Sequence, residues 1–136
     1  AKQAQLAGEV PVGAVLVHEG SIVARARNER ETTGDPTAHA EVLALRRAAA
    51  ALGRRRLKGC TLVVTLEPCP MCAGAIAMSG IDEVLFGAYD PRCGCAGSLY
   101  NLPEDAAFGR VIPCSGGLLE VECQGMLDAF FDSRRG

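Results

Sequence analysis

The chain has 136 residues, of which 49% are hydrophobic and 22% charged. This balance predicts a single globular domain, residues 1–136, large enough to bury a core without extra cross-links. The formal net charge of −2 excludes indiscriminate binding to nucleic acids, so we expect no DNA partner, and any RNA contact must come from a local basic patch. No apolar run approaches a membrane span and no signal peptide opens the chain, so no membrane partner is expected.

Seven cysteines are an odd number in a chain without extracellular features, which predicts free thiols and a cytoplasmic location. Cys60 is predicted to begin a strand, while Cys114 and Cys123 are predicted to be small buried hydrophobic residues. Cys93 and Cys95 lie in a Gly-rich loop. Such a C-x-C pair suits a second metal, but two free thiols are the favoured interpretation.

Two strands are predicted near the start, after a short helical stretch, residues 1–8, that looks truncated at its N-terminus. Residues 12–17 form a continuous apolar run of the kind buried on both faces of a sheet. After a turn at residues 19–20, residues 21–27 alternate apolar and polar side chains. We therefore expect an antiparallel hairpin. A polar loop, residues 28–37, leads to the next helix.

That helix is predicted to contain His39 near its start and to end at Gly53. Its apolar residues recur at helical spacing and define one buried stripe. They are Ala38, Val42, Leu45, Ala49 and Leu52. A basic group outside the stripe consists of Arg46, Arg47 and residues 54–56. This group suits either a solvated face or a contact for phosphates.

In the second half of the chain, the residue pattern predicts a strand at residues 61–66, a helix at 70–79 and a strand at 83–88. Strand, helix and strand in this order imply a parallel crossover. A short fifth strand is expected at Val111-Ile112 and a terminal helix over residues 118–135. The predicted fold class is α/β, with three layers, α/β/α, and a mixed five-stranded sheet.

Residues 67–72, with the sequence Glu-Pro-Cys-Pro-Met-Cys, join the third strand to the following helix. With Pro70 at the first helical position, the sulfurs of Cys69 and Cys72 lie close together at the helix N-terminus. Exposed N–H groups and the helix dipole favour thiolates there. With neutral His39 as third ligand, two thiolates balance the charge of Zn²⁺ and leave a fourth tetrahedral position open. An open position is typical of a catalytic zinc.

Glu41 lies two residues after His39, close enough to act on a water at the open position without becoming a ligand. H-x-E followed by P-C-x-x-C is the signature of zinc-dependent nucleobase deaminases. Taken alone, C-x-x-C also suits a redox pair or half of a structural zinc site, and H-x-E also suits an ordinary helix start. Both motifs in this order favour a catalytic site with one zinc per chain.

Five segments carry a resemblance to a known family. They are residues 8–15, 35–41, 66–75, 86–88 and 97–99. Through them, nearly the whole chain resembles the bacterial tRNA-specific adenosine deaminases of the cytidine deaminase-like superfamily. Motifs such as P-C-x-x-C also occur in cytosine, guanine and deoxycytidylate deaminases, so they indicate the chemistry and not the substrate.

The resemblance implies a cytidine deaminase-like fold and a zinc-dependent hydrolase that converts adenosine to inosine at the wobble position of a tRNA anticodon, releasing ammonia. Glu41 is then the catalytic proton carrier, and His39, Cys69 and Cys72 are the metal ligands. The family also implies a homodimer that binds the anticodon stem-loop. One alternative is a free nucleobase or nucleotide deaminase with the same zinc site. Another is a non-catalytic zinc-stabilised RNA-binding module, although such a module has no use for Glu41.

Three residues are expected near the substrate by the same resemblance: Asn28, Ala88 and Asp90. The Asn28 amide can hydrogen-bond to a purine edge, but asparagine is equally common in turns. Asp90 before Pro91 also suits an ordinary turn.

The C-terminal helix supplies the candidates for further RNA contact, which are Phe130, Phe131, Arg134 and Arg135. Aromatic rings can stack on bases, or they can pack the helix against the core. Because adjacent residues face different directions, at most one of the two phenylalanines needs to be a core residue.

Overall fold

A mixed sheet of five strands lies at the centre of the part of the chain that the structure describes. The computed structural model covers residues 1–135, and only the backbone of the last of these. The strands are β1 (Gly13–His18), β2 (Ser21–Arg27), β3 (Cys60–Leu66), β4 (Glu83–Ala88) and β5 (Cys114–Ser115), in the spatial order β2-β1-β3-β4-β5. β1 is antiparallel to β2 and β3, whereas β3 with β4 and β4 with β5 are parallel. The predicted mixed sheet is confirmed.

Helices cover the sheet. Within residues 1–135 they are α1 (Lys2–Leu6), α2 (Arg30–Thr33), α3 (Ala40–Leu52), α4 (Pro70–Ser79), α5 (Glu120–Arg135) and a 3₁₀ helix at Ala106–Phe108. α3 packs on β1 and β2 and against α4, while α5 packs on β3 and β4. None of the helices in the described residues is long and apolar enough to cross a bilayer.

The main core lies between the sheet and the pair α3 and α4. Leu16 and Leu62 of the sheet, Ala44 of α3 and Ile76 of α4 are all 0% exposed and belong to one cluster. Alanine at the helix positions lets α3 approach the sheet closely, because it adds little bulk between the two layers.

The opposite face of the sheet receives α5. Successive side chains of a strand point to opposite faces, and Gly87 of β4 points towards α5. A Cβ at Gly87 would lie 2.5 Å from Cys123 Sγ and 2.7 Å from the Thr65 carbonyl oxygen. The missing side chain therefore permits α5 to pack here, and the three layers are complete.

The crossover from β3 through α4 to β4 brings the carboxyl ends of two parallel strands to one edge of the sheet. α4 begins at Pro70, whose fixed φ suits a first helical turn, and ends at Gly80 with a φ of 76°. These bounds agree with the prediction. α3 begins after His39, whose backbone is still extended. Both helix N-termini meet at this edge.

The fifth strand was wrongly predicted at Val111-Ile112, and it lies at Cys114–Ser115. Ile112 donates its N–H to the Pro103 carbonyl at 2.7 Å, so its backbone bonds to a loop and not to β4. Ile112 is 1% exposed. Its apolar character indicated burial correctly, but it carried no information about the hydrogen-bond partner.

Two helices also differ from their predictions. α2 was not predicted, because it is short and built from polar residues. α5 begins at Glu120, two residues later than predicted, because Leu119 takes a positive φ of 50° that interrupts a helix.

The buried side of α3 is rotated from the predicted stripe. Its buried residues are Ala40, Glu41, Ala44, Leu45 and Ala48. Val42, Ala49 and Leu52 are only half-buried. Cys114 and Cys123, predicted to be buried, are half-buried as well.

Candidate active site

His39, Cys69 and Cys72 come together at the edge of the sheet where α3 and α4 begin. His39 Nδ1 lies 3.6 Å from Cys69 Sγ and 3.5 Å from Cys72 Sγ. All three candidate ligand atoms are within 4.8 Å of one another. The last residue before α3, the last residue before α4 and the third residue of α4 thus converge on one point.

These distances fit a zinc ion. Typical zinc bonds of about 2.0–2.1 Å to nitrogen and about 2.3 Å to sulfur, at tetrahedral angles, place a nitrogen and a sulfur about 3.6 Å apart. The two observed distances have this value. One imidazole and two sulfurs also form a donor set that zinc prefers, and they leave room for a fourth ligand.

Protons are distributed unequally among the three ligands. A hydrogen bond from Cys72 is the main cause that lowers the pKa of Cys69 to about 4, and His39 lowers it further. The same hydrogen bond and burial raise the pKa of Cys72. The pKa of His39 is raised, chiefly by its hydrogen bond to Cys69. Zinc binding requires both thiolates and a neutral imidazole, so it is accompanied by release of protons from the site.

Glu41 lies beside this cluster on the first turn of α3. Its side chain is nearly inaccessible, with the residue 4% exposed. Burial raises the pKa of Glu41 to about 7, while His39 opposes the shift. A carboxyl group that can hold or release a proton near neutral pH suits general acid–base catalysis.

A cavity of about 210 Å³ opens next to the cluster. Its apolar wall consists of Val10, Val12, Ala40 and Leu66. Its polar lining, besides the cluster and Glu41, consists of Asn28, Arg30, Glu67, Asp90 and Cys93. An apolar lining together with a few polar groups is the composition expected for a site that binds a nucleobase.

Comparison with known proteins identifies the family. Residues 1–88 match the family described as the cytidine and deoxycytidylate deaminase zinc-binding region. The chain is also 54% identical over 135 residues to the tRNA-specific adenosine deaminase of Bacillus subtilis (strain 168), covering 99% of this chain and 84% of that protein. The chain belongs to the tRNA-specific adenosine deaminase family. Zinc is the cofactor of this family's deaminase domain, and the cluster suits it.

Solved structures agree with this membership. One, from a study of A-to-I editing by tRNA A34 deaminases at the wobble position of transfer RNA, has a TM-score of 0.88 and 40% identity, covering 93% of this chain and 91% of that one. A guanine deaminase from Bacillus subtilis has a TM-score of 0.62 and 42% identity, covering 65% of this chain and 57% of that one. Of these two structures, the tRNA deaminase has the higher TM-score and matches the larger share of the chain.

Two of the three residues predicted to lie near the substrate line the cavity. Asn28 is 8% exposed, and its Oδ1 accepts a hydrogen bond from the Arg30 N–H at 3.2 Å, which leaves its Nδ2 for a substrate. Asp90 also lines the cavity. Ala88 does not line it: its side chain is 0% exposed, and its carbonyl accepts the N–H of Glu67 at 2.9 Å. A side-chain contact between Ala88 and substrate is therefore not supported.

The α5 residues predicted to contact RNA differ in how far they interact with other residues of the protein. The Arg134 guanidinium lies over the Phe130 ring, and Phe130 meets Phe131 edge to face at 5.3 Å. Phe131 is 43% exposed and has a free surface. The Arg135 side chain lies outside the described residues.

Sequence reasoning did not identify Val10, Val12, Arg30, Glu67 or Cys93 as cavity residues. The two valines belong to a segment already matched to the family, but their apolar character indicated only burial. Arg30 follows Asn28 by two positions, and this proximity was a usable signal. Glu67 precedes the Pro-Cys motif directly and gave no sign of its contacts.

Proposed function

We propose that this protein deaminates adenosine to inosine at the wobble position of a tRNA anticodon and releases ammonia. The single observation that supports this most is the His39, Cys69 and Cys72 cluster beside the buried Glu41, within a chain that matches tRNA-specific adenosine deaminases over 99% of its length. We assign the three cluster residues as zinc ligands and Glu41 as the catalytic residue.

His39, Cys69 and Cys72 would hold the metal beside the cavity, which His39 and Cys69 line. When bound, zinc supplies an activated water as nucleophile for C6 of adenine. Glu41 accepts a proton from that water and delivers it to ring nitrogen N1. The remaining proton of the attacking water, now on the C6 hydroxyl, then passes through Glu41 to the exocyclic amine; the C6–N bond breaks and the amine leaves as ammonia, so adenosine and water become inosine and ammonia.

The cavity walls position the base. Val10, Val12 and Leu66 offer apolar surface for the ring faces, and the Asn28 amide nitrogen can donate to a base nitrogen. A base in an anticodon loop is already outside a duplex, so moving it into the cavity costs little unpairing energy.

A free nucleobase deaminase is the alternative to be tested. A guanine deaminase from Nitrosomonas europaea matches 88% of the chain, but with 26% identity and a TM-score of 0.75, against 40% identity and a TM-score of 0.88 for the tRNA deaminase, and this favours the tRNA substrate. The zinc-loaded protein should be incubated with an anticodon stem-loop that carries adenosine at the wobble position and, in parallel, with guanine, cytosine and deoxycytidylate. Inosine is expected in the stem-loop, whereas faster turnover of a free base would overturn the assignment.

We further propose that the protein forms a homodimer through α4. This helix contains no charged residue, yet Met71 and Met78 are 36% and 88% exposed on its outer side. Leu99 and Tyr100 are also exposed, at 51% and 70%. A helix that is apolar all round is normally buried. Sedimentation should give a dimer for the wild type and a monomer for Met78→Glu; a monomeric wild type would contradict the proposal.

A cytoplasmic location completes the proposal. The seven cysteines are all unpaired, as expected where thiols stay reduced.

A further inference from the structure

Two glutamates that take no part in the proton transfers lie almost completely buried beside the cavity. Glu9 is 1% exposed and Glu67 is 2% exposed. Neither forms a salt bridge within the described residues. A buried carboxylate without a cationic partner must be stabilised by hydrogen-bond donors, so the identity of those donors indicates what each glutamate does.

The donors to Glu67 come from the loop that follows β4. Its Oε1 accepts the Asp90 N–H at 2.9 Å and the hydroxyl of Ser98. Its Oε2 accepts the N–H groups of Ser98 at 2.8 Å and Ala96 at 3.2 Å. The loop backbone passes very close to the carboxylate: a Cβ at Gly94 would lie 2.3 Å from Glu67 Cδ. One side chain therefore accepts four hydrogen bonds from the segment from Asp90 to Ser98.

The donors to Glu9 come from α2, on the other side of the cavity. Glu9 Oε1 accepts the Glu31 N–H at 3.0 Å, and Oε2 accepts the N–H and the hydroxyl of Thr32, each at 2.6 Å. Burial by itself would raise the pKa of Glu9, but the hydrogen bonds from Thr32 and Glu31 outweigh it and lower the pKa. The carboxylate is thus held in its charged form by the backbone of α2.

Each ordered segment carries cavity-lining residues. α2 contains Arg30 and begins two residues after Asn28, whereas the loop held by Glu67 contains Asp90 and Cys93. We propose that Glu9 and Glu67 are positioning residues for the deamination reaction, each fixing one wall of the base-binding cavity through the backbone of a loop. This inference rests on the proposed function for its kinetic consequences, but its structural part can be tested without them.

Glutamine provides the appropriate substitution at both positions. It preserves size, but its NH₂ group cannot accept the N–H and hydroxyl donors that meet one carboxylate oxygen. Some N–H or hydroxyl groups of the loop then lose their hydrogen-bond acceptor. Asn28 and Asp90 line the cavity and are not among the residues assigned to zinc binding or proton transfer. Loss of their positions should therefore raise KM and leave kcat almost unchanged.

The kinetic test is a pair of double-mutant cycles on the anticodon stem-loop. Glu67→Gln and Glu9→Gln should each raise KM about tenfold, with kcat within about twofold and one zinc per chain retained. If Glu67 acts through Asp90, adding Asp90→Ala to Glu67→Gln should cause little further loss, and Asn28→Ala should behave likewise with Glu9→Gln. The crossed pairs, Glu67 with Asn28 and Glu9 with Asp90, should be additive.

Glu104 offers a matched control. Its Oε1 accepts the Cys114 N–H at 2.7 Å, so it has the same kind of bond away from the cavity. Glu104→Gln should leave KM unchanged. Any of three results would overturn the positioning role. They are additive effects for Glu67 with Asp90 or Glu9 with Asn28, a fall in kcat with constant KM, and a rise in KM for Glu104→Gln equal to that for Glu67→Gln. Ser98→Ala, which removes only one donor, should give a smaller rise in KM if Glu67→Gln proves too unstable to assay.

Hydrogen exchange separates this inference from the proposed function. In Glu67→Gln the amides of Asp90, Ala96 and Ser98 should lose protection, while those of Glu31 and Thr32 keep it; Glu9→Gln should show the reverse. Unchanged exchange in both variants would refute the positioning role even if the wild type deaminates RNA. If the wild type does not deaminate the stem-loop, the proposed function fails, and exchange still decides whether the glutamates hold the loops.

Discussion

Arg134 stacks over Phe130, with 4.6 Å between the guanidinium carbon and the centre of the ring. The same guanidinium donates a hydrogen bond to the Gly8 carbonyl at 3.0 Å. α5 is thereby fastened to the segment before β1, although Arg134 and Gly8 are far apart in the chain. Arg134, considered above as an RNA contact, has a stabilising role in the folded protein.

Arg134→Ala should therefore reduce the free energy of unfolding by about 1 kcal/mol, because a cation–π contact and a hydrogen bond are lost at an exposed site. Arg134→Lys should retain part of the stability, since lysine keeps the charge but not the planar stack. Urea unfolding measures both. Unchanged stability together with weaker stem-loop binding would instead assign Arg134 to RNA.

Glu41→Gln should abolish deamination while fold and zinc are retained. The amide is similar in size to the carboxyl group but cannot transfer a proton, and loss of general acid–base catalysis costs about 10²–10⁴ in rate. Inosine formation and zinc content should be measured on the same preparation. A variant with one zinc per chain and wild-type turnover would remove Glu41 from the mechanism.

Cys72→Ser should weaken zinc binding, because the site loses a thiolate that zinc prefers to an alcohol. Zinc retained after dialysis against a chelator provides the measure. Cys114→Ser is the control, since Cys114 lies at β5 and outside the cluster. If Cys72→Ser keeps stoichiometric zinc under conditions where the control does too, Cys72 is not a ligand.

The stability contributed by Glu9 should depend on pH. Its pKa is lower in the folded protein than its ordinary value of about 4.3, so its contribution is fully present above that value and is lost as the pH falls through the folded pKa. The difference in unfolding free energy between wild type and Glu9→Gln should hence be constant at pH 6 to 7 and shrink on acidification below about 4. A difference that stays constant over the whole range would show that Glu9 titrates alike in both states.

Arg30 is the one Lys or Arg among the cavity-lining residues of the described chain. Arg30→Gln should flatten the plot of log affinity against log salt for the anticodon stem-loop by about 0.7, the value for one phosphate contact in a single strand. Arg110→Gln serves as the control and should leave the slope unchanged, because Arg110 pairs with Asp82 and does not line the cavity. Equal slopes for wild type and Arg30→Gln would exclude a phosphate contact at Arg30.

Local signals in the sequence were sufficient for the elements that bring the metal site together. Pro70 and Gly80 set the two ends of α4, and the alternation and apolar runs located β2 and β4. The identity of the candidate ligands followed from residue type and spacing, because zinc chemistry limits both. The helix and strand predictions needed only interactions between residues close in the chain. Grouping His39 with Cys69, 30 residues away, needed the deaminase signature.

The tertiary structure alone decided the long-range partners. It showed that Ile112 bonds to Pro103 and not to β4, and that Ala88 is closed off from the cavity. It also showed that Glu67 accepts donors from a loop about thirty residues away. Sequence patterns report whether a side chain prefers burial, but a buried carboxylate acquires its function from the donors that the fold places around it.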